Sequence, residues 1–200
     1  MNKVNITPVT LTGHTICLEP LTLQHVPGLA RVGLEPALWQ WVPVPVNTEE
    51  EMGSYVQAAL EDQKRGAALP FAIVLRANGE PIGSTRFANI VLEHRRLEIG
   101  WTWVAPAHQR TAVNTEAKLL LLRHAFEALG MNRVELKTDA LNQQSRNAIR
   151  RLGAVQEGVF RRHMITATGR VRDTVYYSIL SSEWTKVRAH LESSLASRHL

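Results

Sequence analysis

Residues 96–129 read RLEIGWTWVAPAHQRTAVNTEAKLLLLRHAFEAL, and this stretch decides the fold. A strand-like run over 97–104 meets a turn at Pro106 and a polar loop over 108–114, and a helical pattern follows. The first-turn N–H groups of such a helix, and the positive end of its dipole, point into the preceding loop. The pattern therefore predicts a cradle for a pyrophosphate. The carboxylate of Glu98 lies one strand-length upstream, where a reacting amine can meet it.

Turn and capping signals predict the elements on the N-terminal side of this stretch. Thr48, with Glu51 three residues later, forms a capping box, and Asn78-Gly79 between two apolar runs indicates a hairpin. The predicted elements are a strand over 15–20, a helix from Thr22 to about Leu34, an extended loop over 39–46, a helix from Thr48 to about Gly66, and hairpin strands over 69–76 and 81–87.

Strands and helices alternate on the C-terminal side. The predicted elements are a helix over 115–129 that Gly130 ends, a strand over 133–138, a helix over 145–152, hairpin strands over 155–164 and 172–180, and a helix from Ser182. The strand over 133–138 is expected to be half-buried, with Val134 and Leu136 alternating against Glu135 and Lys137. We expect one α+β domain over residues 1–200, with a mixed, mostly antiparallel sheet of six to seven strands and helices on both faces.

The composition is that of an ordinary soluble globular protein, with 200 residues of which 44% are hydrophobic and 20% charged. The net charge is +5 and the isoelectric point is about 9.8. The basic residues are scattered, however, and form only short pairs such as Arg95-Arg96. We therefore expect an anionic cofactor, and no nucleic acid, as the partner.

The expected location is the cytoplasm. Cys17 is the only cysteine, so no intramolecular disulfide can form, which fits a reducing compartment. The N-terminal residues lack the apolar core of a signal peptide. No apolar run approaches the about 18 residues needed to span a membrane, so no membrane partner is expected.

The order of elements and five motifs together resemble the GNAT superfamily of acyl-CoA-dependent N-acyltransferases, and in particular its RimJ/RimL-like branch. The motifs are LEIGW (97–101), QRTAVNTEA (109–117), RVEL (133–136), NQQSRNAIRRLGA (142–154) and DTVYYSIL (173–180). The resemblance implies transfer of an acetyl or other short acyl group from acyl-CoA to the primary amine of a small molecule or protein N-terminus. A non-catalytic acyl-CoA sensor is the alternative. A homodimer is implied by analogy alone.

The cradle departs from the family pattern Gln/Arg-x-x-Gly-x-Gly/Ala. Gln109 fits, but Ala112 and Asn114 occupy the small positions. Alanine still allows close approach, and asparagine tolerates left-handed conformations and can cap a helix. Arg110 is expected to add donors to the pyrophosphate. The expected cofactor-binding residues are Trp103, Val104, Gln109, Arg110, Thr111, Ala112, Val113, Asn114, Thr115, Asn142 and Ser145. The alternative is a site that has lost or changed its ligand.

An aliphatic amine must lose a proton before it attacks a thioester, so the site needs a general base. Glu98 lies eleven residues before Gln109, where several GNAT enzymes carry a catalytic glutamate. In an extended strand Glu98, Gly100 and Thr102 share a face. The alternative is a structural Glu98 paired with Arg95, Arg96 or Arg133. His163 is the second candidate base, because imidazole titrates near neutrality, and its alternative is an ordinary surface or core histidine.

The leaving thiolate can take a proton from a hydroxyl group. Many GNAT enzymes carry a tyrosine at the position of Ile149, which cannot donate a proton. The RimJ/RimL-like branch points instead to Ser145, with Asn142 bonding the pantetheine amide. The alternative for Ser145 is helix capping, and the two roles can coexist.

Four tryptophans complete the candidate list. Trp101 and Trp103 are expected on the strand face opposite Glu98, in the core. Trp39 and Trp41 lie in a proline-rich loop, where they line an acceptor pocket or, alternatively, fasten the loop to the domain. No metal site is expected.

Overall fold

One eight-stranded sheet organises the chain, and the computed structural model describes residues 6–166 and 168–197. Its strands are β1 (Leu11–Thr12), β2 (Ile16–Pro20), β3 (Ala68–Leu75), β4 (Pro81–Val91), β5 (Arg96–Val104), β6 (Arg133–Asp139), β7 (Val155–Ile165) and β8 (Val171–Leu180). The helices are α1 (Val26–Gly33), α2 (Glu49–Lys64), α3 (Val113–Arg123), α4 (Gln143–Arg151) and α5 (Trp184–Ala196). Residues 1–5, part of the segment from which the lack of a signal peptide was inferred, lie outside the described residues.

The strand order is β1-β2-β3-β4-β5-β6-β8-β7, and every neighbouring pair is antiparallel except β5 and β6. This parallel pair requires a crossover, which α3 provides. The expected α+β fold with a mixed, mostly antiparallel sheet is confirmed. The strand count is eight rather than six to seven, because β1 has only two residues and leaves no periodic pattern to recognise.

The β5–β6 pairing is short. It joins Arg96–Glu98 to Arg133–Glu135, and the strands then diverge. We call the opening between residues 99–104 of β5 and residues 136–139 of β6 the fork. In the fork, the edge of β5 that faces β6 has no strand partner, so its main-chain polar groups are available to another molecule.

Two hydrophobic clusters cover the two faces of the sheet. The first holds α1 and α2 against the sheet through Leu29, Met52, Val56 and Trp103. We call this side the Glu98 face, because Glu98 points to it. The second cluster packs α3, α4 and α5 against the opposite side, which we call the α3 face. All four leucines of 119–122 are buried there, because α3 lies between the sheet and α5.

Capping signals located most helix ends. Thr48 caps α2 by accepting a hydrogen bond from the Glu51 N–H at 3.1 Å, although the Glu51 carboxylate bonds the Asn47 N–H instead of returning to Thr48. The predicted helix from Thr22 begins as a single 3-10 turn before α1. α3 begins at Val113, two residues earlier than predicted, and continues into a π-helical turn.

A β-bulge interrupts β5 at Trp101. Ser84 of β4 lies opposite Trp103, and Arg86 lies opposite Gly100, so β5 uses one residue more than β4 between these two pairs. Trp101 is the extra residue, with φ of 48°. A bulge of this kind shifts the alternation of side chains by one position.

The bulge overturns the predicted face assignments. Thr102 bonds Thr85 across the strands on the α3 face (Oγ1–Oγ1 2.7 Å), so it does not share a face with Glu98. Trp103 is buried on the Glu98 face, not opposite it. Trp101 is 45% exposed and is not a core residue.

Glu116, in the first turn of α3, fastens that helix to the N-terminal strands. Its side chain is only 5% exposed and its carboxylate accepts hydrogen bonds from the main-chain N–H groups of His14 and Thr15. Gly13 is needed beside it, because a methyl group there would lie 2.4 Å from Glu116 Oε1. The helix that carries the cradle is therefore held by a buried carboxylate.

We expect Glu116→Ala to lower the free energy of unfolding by about 2–3 kcal/mol, because two partly buried N–H groups lose their acceptor. Glu116→Gln keeps one acceptor oxygen and should lose less. Urea denaturation measures both, with Glu192→Ala, which breaks an exposed pair with Arg123, as the control. Equal losses for Glu116→Ala and Glu192→Ala would contradict this role.

Candidate active site

Glu98 lies at the base of the fork and is 5% exposed. Its Oε2 is 2.7 Å from Lys137 Nζ and accepts a hydrogen bond from Asn89 Nδ2 at 2.6 Å. Its Oε1 lies over Gly100, where a methyl group would approach it to 2.8 Å. Among the described residues no donor is bonded to Oε1. One carboxylate oxygen is therefore held in place, and the other is open to a proton.

Lys137 is the cation beside Glu98. Among the described residues, the arginines predicted as alternative partners of Glu98 do not pair with it. Arg96 and Arg133 pair with Glu135 instead. Burial acts to lower the pKa of Lys137, but the bond and charge of Glu98 outweigh it and hold that pKa above its usual value. Lys137 therefore stays protonated at neutral pH and cannot itself act as a base.

The half-buried pattern of β6 predicts that Glu135 and Lys137 face solvent. In the structure this side of the strand lies on the Glu98 face. Glu135 is 9% exposed and Asp139 is 1% exposed. Tyr176 of β8 pairs with Lys137 across the strands, and its ring centroid lies 4.8 Å from Lys137 Nζ. Sequence reasoning missed Lys137, Asp139 and Tyr176 as site residues. The alternation of charged residues along β6 was the available signal, but it resembles that of a solvated strand.

At the wide end of the fork, buried Asp139 pairs with Arg170, and Arg172 Nε lies 3.9 Å from Asp139 Oδ2. Arg172 also donates from Nη1 to the Trp41 carbonyl at 3.0 Å. The guanidinium of Arg170 lies 5.8 Å from the centroid of the Trp41 ring. The loop over 39–46 is thus tied to the β7–β8 hairpin across the Glu98 face.

The two loop tryptophans have different surroundings. Trp39 is 4% exposed, donates from Nε1 to the Gly33 carbonyl at 2.7 Å, and packs against Tyr55 and Trp103. This geometry does not support Trp39 as a pocket-lining residue and matches the alternative, in which it fastens the loop. Trp41 is partly exposed and stays a candidate for contact with the acceptor.

Trp101 and Arg86 form a stacked pair on the Glu98 face. The guanidinium of Arg86 lies 4.9 Å from the Trp101 ring centroid and 5.2 Å from that of Tyr55. Arg86 is 4% exposed. The side chain of Trp103 is buried beneath α1 and α2, so only its main chain can reach a ligand in the fork.

His163 also lies on the Glu98 face. Its Nδ1 is 3.1 Å from Thr174 Oγ1, and its ring centroid is 5.8 Å from that of Tyr176. Tyr176 in turn contacts Lys137, the partner of Glu98. The two candidate bases therefore belong to one polar group, with His163 at its exposed edge.

The loop before α3 is fixed by Gln109. Its Nε2 donates to the Val104 carbonyl at 3.0 Å, and its Oε1 accepts from Gln144 Nε2 at 3.4 Å. The second contact reaches across the fork to α4. Gln109 therefore links the end of β5 to the start of α4 and holds the loop between β5 and α3 in place.

The loop presents unpaired N–H groups without glycine. Among the described residues, the main-chain N–H groups of Ala112, Asn114 and Thr115 donate to no protein acceptor. Ala112 has a right-handed φ of −67°, so its position requires small size and not the conformational freedom of glycine. The left-handed residue is Arg110, with φ of 62°. These donors fit a pyrophosphate.

Asn114 does not cap α3, because it lies inside the first turn, and Ala112 is the N-cap. Thr111 supports the loop by donating to the His108 carbonyl at 2.7 Å. Val113 is buried in the core on the α3 face.

Asn142 is the N-cap of α4. Its Oδ1 accepts from the Ser145 N–H at 3.0 Å, so the alternative in which Ser145 caps the helix is wrong. Ser145 lies in the first turn, partly buried, and Ile149 is buried in the core. Because Gln144 contacts Gln109, the start of α4 lies beside the cradle.

A cavity of about 620 Å³ opens on the Glu98 face. Its lining is formed by Ala67, Asn89, Ile90, Val91, Arg96, Glu135, Lys137 and Tyr176. Asn89 and Lys137 are the two side chains bonded to Glu98. The cavity therefore reaches the two partners of the candidate base, although Glu98 itself is not part of its lining.

Comparisons with known proteins agree with this arrangement. Residues 15–155 match the family described as the acetyltransferase (GNAT) domain. The N-acetyltransferase YoaA of Bacillus subtilis, itself uncharacterized, is 33% identical over 123 residues, which are 62% of this chain and 67% of YoaA. A GCN5-related N-acetyltransferase structure from Brucella melitensis superposes with a TM-score of 0.87 at 30% identity, covering 95% of this chain and 86% of that one.

A structure of Mycobacterium smegmatis RimJ in complex with CoA-disulfide has the same fold, with a TM-score of 0.79 at 24% identity over 96% of this chain and 93% of RimJ. None of these relatives supports a non-catalytic sensor. Among the described residues, no helix has the length and hydrophobicity that crossing a membrane requires. The chain belongs to the GNAT acetyltransferase family and is an acyl-CoA-dependent N-acyltransferase.

Proposed function

We propose that this enzyme transfers an acetyl group from acetyl-CoA directly to a primary amine, with Glu98 as the general base. The observation that carries the proposal is the position of Glu98 Oε1. It lies at the base of the fork without a hydrogen-bond donor among the described residues, while Oε2 is fixed by Lys137 and Asn89. A carboxylate held by one oxygen and open at the other is suited to accept a proton.

The proposed reaction has two proton transfers. Glu98 removes a proton from the acceptor ammonium, directly or through a water, and the neutral amine attacks the thioester carbonyl. The C–N bond forms, the C–S bond breaks, and the second proton that the nitrogen loses passes, through Ser145 or through solvent, to the departing thiolate. Lys137 keeps its charge throughout, so it holds Glu98 in position. His163 is the second candidate base, at the exposed edge of the same polar group.

The cofactor is proposed to bind along the fork. The N–H groups of Ala112, Asn114 and Thr115 and the side chain of Arg110 would hold the pyrophosphate. The open edge of β5, with the main chain of Trp103 and Val104, would bond the pantetheine arm, and Asn142 would bond its amide. Apart from the Val104 carbonyl, which Gln109 already bonds, the main-chain polar groups of that edge have no partner in the described part of the sheet, which supports the assignment.

The acceptor is proposed to enter through the cavity on the Glu98 face, and Trp41, at the wide end of the fork, stays a candidate for contact with it. In this cavity the Arg96 and Lys137 side chains are each paired with a carboxylate, so it offers no large excess of either charge. A primary amine on a small polar molecule or at a protein N-terminus fits such a lining better than a polycation. Thiol release from acetyl-CoA with a panel of amines tests the function, and binding without release by any amine would contradict it.

A cytoplasmic location and a homodimer are also proposed. The single cysteine supports the first. The edge strand β7 supports the second, because it exposes Val155, Val159, Phe160 and Ile165. Light scattering on the purified protein measures the oligomeric state, and a monomer at micromolar concentration would rule out a stable dimer.

We expect Glu98→Gln to lower kcat by about 100-fold or more, because glutamine cannot accept the amine proton. The dissociation constant of acetyl-CoA should not change, because Glu98 lies on the face opposite the cradle helix. Steady-state kinetics and calorimetry measure the two values. Glu157→Gln, which alters a carboxylate paired with Arg133, is the matched control and should keep kcat. Weaker cofactor binding with unchanged kcat would show that Glu98 is structural.

We expect Ser145→Ala to slow thiol release several-fold at saturating substrates if its hydroxyl protonates the leaving thiolate. The fold should be retained, because Asn142 provides the helix cap and accepts only the main-chain N–H of Ser145. Ser182→Ala, at an exposed site before α5, is the control. An unaltered rate in Ser145→Ala would assign the proton to solvent.

A further inference from the structure

Lys118 is a buried cation that the proposed reaction does not use. It is the sixth residue of α3 and is 6% exposed. Among the described residues no carboxylate pairs with it. Lysine is rarely buried without a partner, because removing an ammonium from water is costly. Its presence in the core of the α3 face calls for a physical reason.

Lys118 is bonded to the segment of β5 that carries the bulge. Its Nζ donates to Thr102 Oγ1 at 2.6 Å, and Thr102 bonds Thr85 of β4. Thr102 directly follows Trp101, the extra residue of the bulge. Burial lowers the pKa of Lys118 to about 7. The amine can therefore change its charge near neutral pH without leaving this hydrogen-bonded chain.

Few charged groups surround Lys118. On α3 itself they are Glu116, whose carboxylate bonds main-chain N–H groups, and Arg123 at its end; His124, whose pKa burial lowers, follows directly. The preceding loop contributes His108 and Arg110.

The elements packed against α3 add no nearby charge. The α3 faces of β2, β4, β5 and β6 present apolar residues and threonines, and α5 contributes Trp184, Val187 and Leu191. The charged residues of α5 that approach α3 pair with Arg123, the last residue of α3, and with Glu127, which lies beyond it. Among the described residues none supplies a carboxylate to Lys118, so an anionic ligand in the cradle is the candidate partner.

Helix geometry places Lys118 near the cradle. It follows Val113 by five residues, which is about 7.5 Å along the axis. Helical side chains tilt toward the N-terminus, so the amine lies closer to the loop than its Cα does. A pyrophosphate at the free N–H groups would put two negative charges within about 10 Å, through a poorly screening interior.

We propose that Lys118 is an internal part of the acyl-CoA site and takes up a proton when a pyrophosphate occupies the loop before α3. This inference rests on the proposed cofactor site. The pyrophosphate stabilises the ammonium, and by linkage the ammonium strengthens cofactor binding by the same free energy. Lys118 thus adds affinity for the anion without touching it.

The inference fixes the direction of the pH dependence. Below pH 7 Lys118 is charged in both the free and the bound protein, so its contribution to affinity is constant. Above pH 7 the free protein has lost the proton and must regain it on binding. Affinity for coenzyme A should therefore fall as pH rises, until Lys118 is neutral in the complex as well.

Calorimetric titration of the full-length protein with coenzyme A tests this at pH 8, in two buffers that differ in ionisation enthalpy. The phosphates of coenzyme A are ionised at that pH, so proton uptake reports on the protein. We expect uptake of about half a proton to one proton per coenzyme A bound. Lys118→Met should abolish most of this uptake, and Lys118→Gln should do the same while keeping a donor for Thr102.

Two further measurements separate Lys118 from other groups. His108→Gln should retain the uptake, because the neighbouring imidazole is not its source. The affinities of wild type and Lys118→Met should differ at pH 6.5 and converge near pH 10. Lys118→Met should also melt at a higher temperature at pH 7, since it removes a buried amine that must lose its hydration or its proton on folding, so misfolding would not explain lost uptake.

Equal proton uptake in wild type and Lys118→Met would overturn the inference and leave the cofactor site intact. Loss of uptake in His108→Gln would transfer the role to that histidine and also overturn it. A titration with no binding heat, together with no displacement of a fluorescent acyl-CoA, would instead overturn the proposed cofactor site, and this inference with it.

Discussion

The site depends on one constraint, which is that β5 and β6 stop pairing after Glu98. Three residue pairs hold the two strands together, and beyond them each edge carries main-chain donors and acceptors that the sheet does not satisfy. A buried strand edge of this kind needs a partner. The extended pantetheine arm of an acyl-CoA can provide it, and the cradle at the start of α3 lies where the other end of that molecule would reach. The proposed acyl transfer therefore depends on the point at which β5 and β6 stop pairing.

Much of this architecture could be predicted because its signals are local. Asn78-Gly79 indicated the first hairpin, Thr48 the start of α2 and Gly130 the end of α3, since each is read from a few neighbouring residues. The strand, loop and helix order around Gln109 also indicated the loop before α3, and binding of a pyrophosphate there stays a prediction. The order of the last two strands, in which β8 and not β7 pairs with β6, was not predicted, because no periodicity determines it.

The details of the site were harder to predict, because they depend on distant pairings. The sequence Trp101-Thr102-Trp103 carries no signal that β5 contains a bulge. The one extra residue nevertheless moves Thr102 to the other face of the sheet. The bond between Glu98 and Lys137 joins strands separated by a helix, and charge alternation on β6 gave no sign that both of its faces are covered. Trp39 fastens its loop, and only its contacts with Tyr55 and Trp103 reveal this.

The hydrogen bond from Arg172 to the Trp41 carbonyl joins positions 131 residues apart. The Gln109–Gln144 contact spans the fork beside the cradle. Two separate contacts therefore connect the two halves of the sheet. A gap braced in this way keeps nearly constant dimensions, and little ordering remains to be done when substrates arrive. If acyl-CoA binds along the fork as proposed, selectivity for acyl length would depend on this fixed gap, because a longer chain would meet side chains already held in place by folding.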